Sequence, residues 1–109
     1  MRVRASKRAK ATDISKEVKT LVYERDRGLC VVCGKQGIPN AHYIPRSAGG
    51  LGIEQNIVCL CIDCHNAFDF GDKETMDAIG NKIKNYLTSK YPDWDEHNLI
   101  YKKYDWSVV

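Results

Sequence analysis

The sequence has no run approaching the ~20 consecutive apolar residues of a membrane-spanning helix, so a helical span is excluded and no membrane partner is expected. Its first residues carry no apolar leader core, and nothing in them points to export. Acidic residues are missing from positions 1–12, which hold Arg2, Arg4, Lys7, Arg8 and Lys10 against a whole-chain net charge of +3. The basic surplus therefore resides in this segment, and the rest of the chain is slightly acidic. Aromatic residues are missing there too, and a segment that cannot bury apolar surface is expected to be a disordered basic tail over residues 1–12. It reads either as a solubilising leader or as an arm that follows phosphates without reading sequence.

At 109 residues the chain is one small unit whose core offsets chain entropy only moderately. A structural metal would help, and the five cysteines suggest one. In a chain without export signals they read as metal ligands in a reducing compartment, the cytoplasm, better than as a disulfide framework. Four fall in two knuckles, Cys30-Val31-Val32-Cys33 and Cys61-Ile62-Asp63-Cys64. A two-residue spacer lets both sulfurs of a knuckle face one ion, which suits a tetrahedral structural Zn²⁺. The odd thiol, Cys59, lies on a predicted strand and is expected to be buried and free.

Hydrophobic spacing predicts an α+β fold. Ile14, Val18, Leu21, Val22 and Arg25 recur at helical intervals, with Ser15 as N-cap and Gly28 as the stop. Residues 34–38 read as a turn, residues 40–44 as a short strand broken by Pro45, residues 47–52 as a loop with three glycines, and residues 57–60 as a second strand. A short helix then runs from about Asp63 to Phe70, ended by Gly71. Strand, loop, strand and helix in that order make a ββα unit with the cysteines at its base. After Asp72, a further N-cap, Met76, Ile79, Ile83, Tyr86 and Leu87 form the apolar stripe of a second helix. The aromatic-rich residues 91–109 are expected to pack back over the same domain.

Several of these elements recur together in a recognisable order: Tyr23-Glu24-Arg25-Asp26 closing a helix, the first knuckle with Gly34, His42-x-x-Pro45, Gly49-Gly50, Asn56, and Leu60-Cys61-x-x-Cys64-His65. Over about residues 14–72 this pattern resembles the HNH endonuclease family of ββα-metal nucleases, most closely the small HNH proteins of bacteriophages and prophages. The resemblance implies a zinc-stabilised nuclease domain over residues 13–72, with the remaining residues 73–109 packed on it. It implies a metal-dependent DNA endonuclease or nickase, acting for some relatives beside phage terminase and packaging proteins in the bacterial cytoplasm.

The chemistry of the residues agrees with that implication. Phosphodiester hydrolysis needs a base for water, a cation for the charge that builds on phosphorus, and help for the departing 3′ oxygen. By the resemblance His42 is the base, and a neutral imidazole with a pKa near ~6.5 suits the task. His65 follows the last knuckle cysteine and lies nine residues after Asn56, the family's interval between its central asparagine and a metal-binding histidine. Asp69 comes one helical turn later, so His65 and Asp69 can offer a nitrogen and an oxygen to one Mg²⁺ or Mn²⁺. The bland reading of Asp69 is a surface carboxylate, although its place near a helix C-terminus opposes the helix dipole. Asn56 is expected to brace His42 by hydrogen bonds across the loop between the strands. Arg46 reads as a forked phosphate contact or as a solvated cation. One position departs from the family: the residue before the base is commonly a metal-binding Asp, His or Glu, and here it is Ala41. That departure keeps a second reading open, a catalytically weakened zinc-binding DNA adaptor.

Overall fold

The computed structural model describes residues 7–102. Its longer helices begin where a short side chain takes up the free amides of the first turn. Ser15 Oγ accepts from Val18 N at 3.1 Å at the head of α2 (Lys16–Asp26), and Asp72 Oδ1 accepts from Thr75 N at 2.7 Å at the head of α4 (Lys73–Lys90). Helix α3 (Ile62–Phe70) is capped by a thiol: Cys61 Sγ accepts from Cys64 N at 3.4 Å. Helix α2 stops as Arg27 and Gly28 both turn left-handed, at φ 58° and 65°. Glycine is favoured at the second of these positions by its positive φ, and a Cβ there would also push aside the half-exposed Tyr23 ring, 2.7 Å away.

Strands β1 (Ile38–His42) and β2 (Ile57–Leu60) pair antiparallel in the register Ile38↔Leu60, Ala41↔Val58 and His42↔Ile57, with an irregularity between Ile38 and Ala41. β1 starts two residues before the expected strand and ends two residues sooner. Pro39 is tolerated because the irregular register surrounds it and the sheet has only edge strands. The ladder ends early because the Asn56 side chain takes over the backbone of Ile44.

All four residues of β2 are buried, since helices cover both faces. Val58 and Leu60 join Cys30, Ala41, Cys61, Ile79, Ile83 and Leu87 in one cluster, while Ile57 and Cys59 pack with Val22 of α2 in another. The result is a small α+β unit with a two-stranded sheet between helices. Cys59 is fully buried, and its burial, with Asp26 nearby, pushes the thiol pKa up to about 12. The predicted α2 stripe is right except at Leu21, which is half exposed at the stripe's edge.

A charged network joins the layers. The Asp26 carboxylate is fully buried and accepts from Arg25, from the Tyr86 hydroxyl and from Cys59 N at 2.9 Å. Arg25 also donates to Glu54 O at 2.6 Å, Ile57 O at 2.7 Å and Tyr91 Oη at 3.1 Å. Burial opposes the guanidinium charge, yet its hydrogen bonds to Asp26 and Tyr91 outweigh that and raise its pKa. Every buried side-chain nitrogen and oxygen among the described residues has a partner.

Over residues 7–12 the expected disordered tail is corrected, while residues 1–6 lie outside the described residues. Lys7–Thr12 form a short helix, α1, and Thr12 is buried. Composition misses it because the contacts are made by main-chain groups and the Arg8 guanidinium instead of by apolar side chains. Gly52 N donates to Ala11 O at 2.9 Å, and Arg8 Nη2 donates to Arg46 O at 3.3 Å and Ser47 O at 3.0 Å. Arg2 and Arg4 lie outside the described residues. Beyond α4, Trp94 Nε1 donates to Gln55 O at 2.7 Å and its ring meets Tyr43 edge-on at 5.7 Å. A 3₁₀ turn, Glu96–Leu99, then buries Leu99, and Leu51 N donates to Leu99 O at 2.7 Å. Tyr104 and Trp106 lie outside the described residues. Among the described residues no helix is long and apolar enough to cross a membrane.

Candidate functional site

Two sites adjoin the sheet and α3. The first is the cysteine cluster. Cys30 and Cys33 sit in the turn after α2, which Gly34 tightens at φ 80° by donating from its N–H to Cys30 O at 2.9 Å. Cys61 and Cys64 open α3. All four sulfurs lie within 4.8 Å of one another, and Cys33 and Cys61 are 3.5 Å apart. Sulfurs ~2.3 Å from a tetrahedral zinc stand ~3.8 Å apart, so the four cysteines fit a zinc ion. Burial pushes the Cys30 thiol up, but backbone N–H groups of Cys61, Cys33 and Val32 outweigh it and bring the pKa down to about 7, toward a ligating thiolate. Burial, and then hydrogen bonds with the other three thiols, hold Cys64 protonated; a bound cation would displace that proton.

The second site gathers around His42, the last residue of β1. Its Nε2 lies 2.8 Å from Thr12 O, the final carbonyl of α1. A carbonyl only accepts, so Nε2 carries the proton and Nδ1 of the neutral ring keeps the basic lone pair. Burial lowers the His42 pKa most; the Thr12 carbonyl works against that, and the nearby His65 lowers it a little more.

His65 and Asp69 face each other one turn apart on α3, with Nε2 and Oδ2 separated by 3.3 Å. Adjacent ligands of an octahedral ion at ~2.1 Å stand ~3.0 Å apart, so this pair can take two neighbouring positions on such an ion. Both are partly exposed, which leaves room for water and phosphate oxygens. Among the described residues the four cysteines are the group of three or more candidate ligands that comes together, and His42 does not join His65 and Asp69 in another.

Ala41 is 1% exposed and packs in the core cluster with Val58, whereas His42 points to the other face, as strand alternation requires. A carboxylate at position 41 would therefore enter the core. Asn56 is buried and uses its whole amide: Oδ1 accepts from Ile44 N at 2.8 Å, and Nδ2 donates to Ile44 O at 3.1 Å and Leu51 O at 2.8 Å. It braces the chain just beyond His42 and makes no hydrogen bond to the ring itself. Arg46 is half exposed and paired with the Asp13 carboxylate. Lys7 and Lys10 are exposed on α1, whose Arg8 reaches the carbonyls of Arg46 and Ser47. Arg8 of α1 thus lies beside the loop that follows His42.

The chain matches no family model and no curated protein. What the site can do follows from its own side chains.

Sequence reasoning missed two parts of this arrangement. The Thr12 carbonyl is a main-chain group, and no side-chain motif announces it. The Arg25–Asp26 network was legible only as two adjacent charges at the end of a helix, with nothing to show that a strand and two tyrosines from α4 and beyond would enclose them.

Proposed function

We propose that this protein is a metal-dependent DNA endonuclease or nickase of the HNH type, with His42 as general base. The observation that carries the reading is the 2.8 Å contact of His42 Nε2 with Thr12 O, which leaves Nδ1 basic on a ring close enough to His65 to feel its charge, while His65 and Asp69 stand 3.3 Å apart in metal-binding geometry. His42 Nδ1 takes a proton from water as the water oxygen bonds to phosphorus; the P–O3′ bond breaks and the 3′ oxygen leaves with a proton from solvent. His65 and Asp69 would hold Mg²⁺ or Mn²⁺, which supplies charge stabilisation at the phosphorus and the leaving oxygen. Ligation there requires His65 to give up any proton on Nε2, so that the ion replaces the hydrogen bond between the two side chains. Cys30, Cys33, Cys61 and Cys64 would bind a structural zinc that fixes the start of α3 and, one residue on, the direction of His65.

DNA is the partner that α1 and Arg46 fit best, since exposed cations beside the base can hold a phosphate backbone without reading bases. The likeness to phage proteins extends the proposal to a role beside terminase in a bacterial cytoplasm. A second reading, a zinc-binding DNA adaptor, is favoured by the buried Ala41 and by Arg46 being paired with Asp13.

Nicking of supercoiled plasmid by zinc-loaded protein, with and without Mg²⁺ or Mn²⁺, separates the two. The endonuclease nicks only with the ion, and His42→Ala lowers the rate by about 100-fold or more while retaining DNA affinity. Tight binding without nicking in either ion would establish the adaptor.

A further inference from the structure

Resting on the nuclease reading, we infer that α1 is a positioning element of the site: its last carbonyl, Thr12 O, holds His42 as the Nε2–H tautomer, with Nδ1 facing the reaction, only while the helix is docked on residues 46–52. An imidazole in water exchanges its proton between the two nitrogens, and a base with the wrong nitrogen protonated cannot accept from water. The hydrogen bond between His42 Nε2 and Thr12 O removes that ambiguity.

The docking is well defined. Arg8 donates to the carbonyls of Arg46 and Ser47, Gly52 N donates to Ala11 O, and Arg46 pairs with Asp13 on the other side of Thr12. Gly52 is required by this approach, since a Cβ there would lie 1.9 Å from Asp13 O, a main-chain atom with no flexible side chain to move aside. The helix that carries the proposed phosphate contacts Lys7 and Lys10 is therefore the helix that orients the base. Phosphates gripped along α1 favour the docked helix, so binding of DNA and readiness of His42 are coupled.

Two full-chain variants test this, Gly52→Ala and Arg8→Ala, each zinc-loaded. Long-range ¹H–¹⁵N spectra of the neutral His42 ring read the tautomer, and single-turnover nicking at saturating DNA reads the rate. The wild type should show Nε2–H alone. Gly52→Ala should show a mixture of tautomers and nick at least ~10-fold more slowly, part of the full loss of a general base, with Arg8→Ala changing both readouts in the same direction by less. If Gly52→Ala fails to bind zinc, Arg8→Ala decides. A wild-type ring protonated on Nδ1, or variants in which either the tautomer or the rate stays at the wild-type value, would overturn the inference while a nicking wild type preserves the nuclease reading. A wild type that never nicks overturns both.

Discussion

The two ends of the short sheet are held in different ways. Near the Leu60 end of β2, four cysteine side chains converge from two sequence-local knuckles, each built on a tight turn or a helix start. At the His42 end, the ring is set by a carbonyl thirty residues away in sequence, and its neighbourhood by the amide of Asn56 bonding to main chain. The first arrangement is written in side-chain identity and tolerates change around it. The second depends on main-chain atoms brought close by packing, so substitutions that alter no functional side chain can disturb it.

Removing a metal ligand should break the first end outright. Cys61→Ser keeps a side-chain cap on α3, since serine oxygen can accept from Cys64 N, but is expected to lose the zinc and to unfold the protein, because structural zinc contributes on the order of 10 kcal/mol in small domains. One zinc per chain by elemental analysis, and loss of secondary structure on chelation, are the accompanying observations. A fold that survives strong chelators would show that packing alone holds this end.

The layers between the two ends are tested by Asp26→Ala. It should cost about 3–5 kcal/mol, since Arg25 would be left largely buried without its carboxylate and Cys59 N without an acceptor. Denaturant titration reads the change; a loss below ~1 kcal/mol would mean that water reaches Arg25 and replaces the partner.

A smaller effect belongs to His42, the proposed base. The folded-state pKa of His42 is depressed, chiefly by burial, so neutral imidazole persists below its ordinary value of ~6.5. Nicking should keep its rate above that value and fall only as pH drops through the depressed pKa. By the same sign, the stability carried by this group is present above the unfolded pKa and is lost as pH falls through the folded one. A pH–rate profile whose acid limb lies above 6.5 and disappears in His42→Ala would contradict the burial seen here. The smallest change expected is in binding: Lys7→Gln with Lys10→Gln should flatten the slope of log K against log salt by up to about two ion equivalents times ~0.9, leaving cleavage of bound DNA nearly unchanged. An unaltered slope would move the DNA away from α1.

Local signals carried much of the fold. Ser15 and Asp72 cap the helices expected of them, residues 57–60 form the second strand, and α3 ends at Phe70 before Gly71. Each depends on interactions within a few residues, which sequence displays directly. Leu21 and the position of β1 were misread because the edge of an apolar stripe and the end of a ladder are set by neighbours distant in sequence. The likeness to HNH nucleases singled out His42, Asn56 and His65, and helical spacing added Asp69, which lies on the same helical face as His65.

By itself, then, the sequence determined the cysteine set, the helix starts and the pairing of His65 with Asp69, because knuckle spacing, caps and helical periodicity act over a single turn of chain. Only the tertiary structure decided that residues 7–12 are helical, that Ala41 faces the core, that Arg46 meets Asp13 and that Thr12 O holds His42. Those outcomes depend on which groups meet once the layers have packed, and for α1 and His42 the partner is a backbone carbonyl, the same atom in every residue.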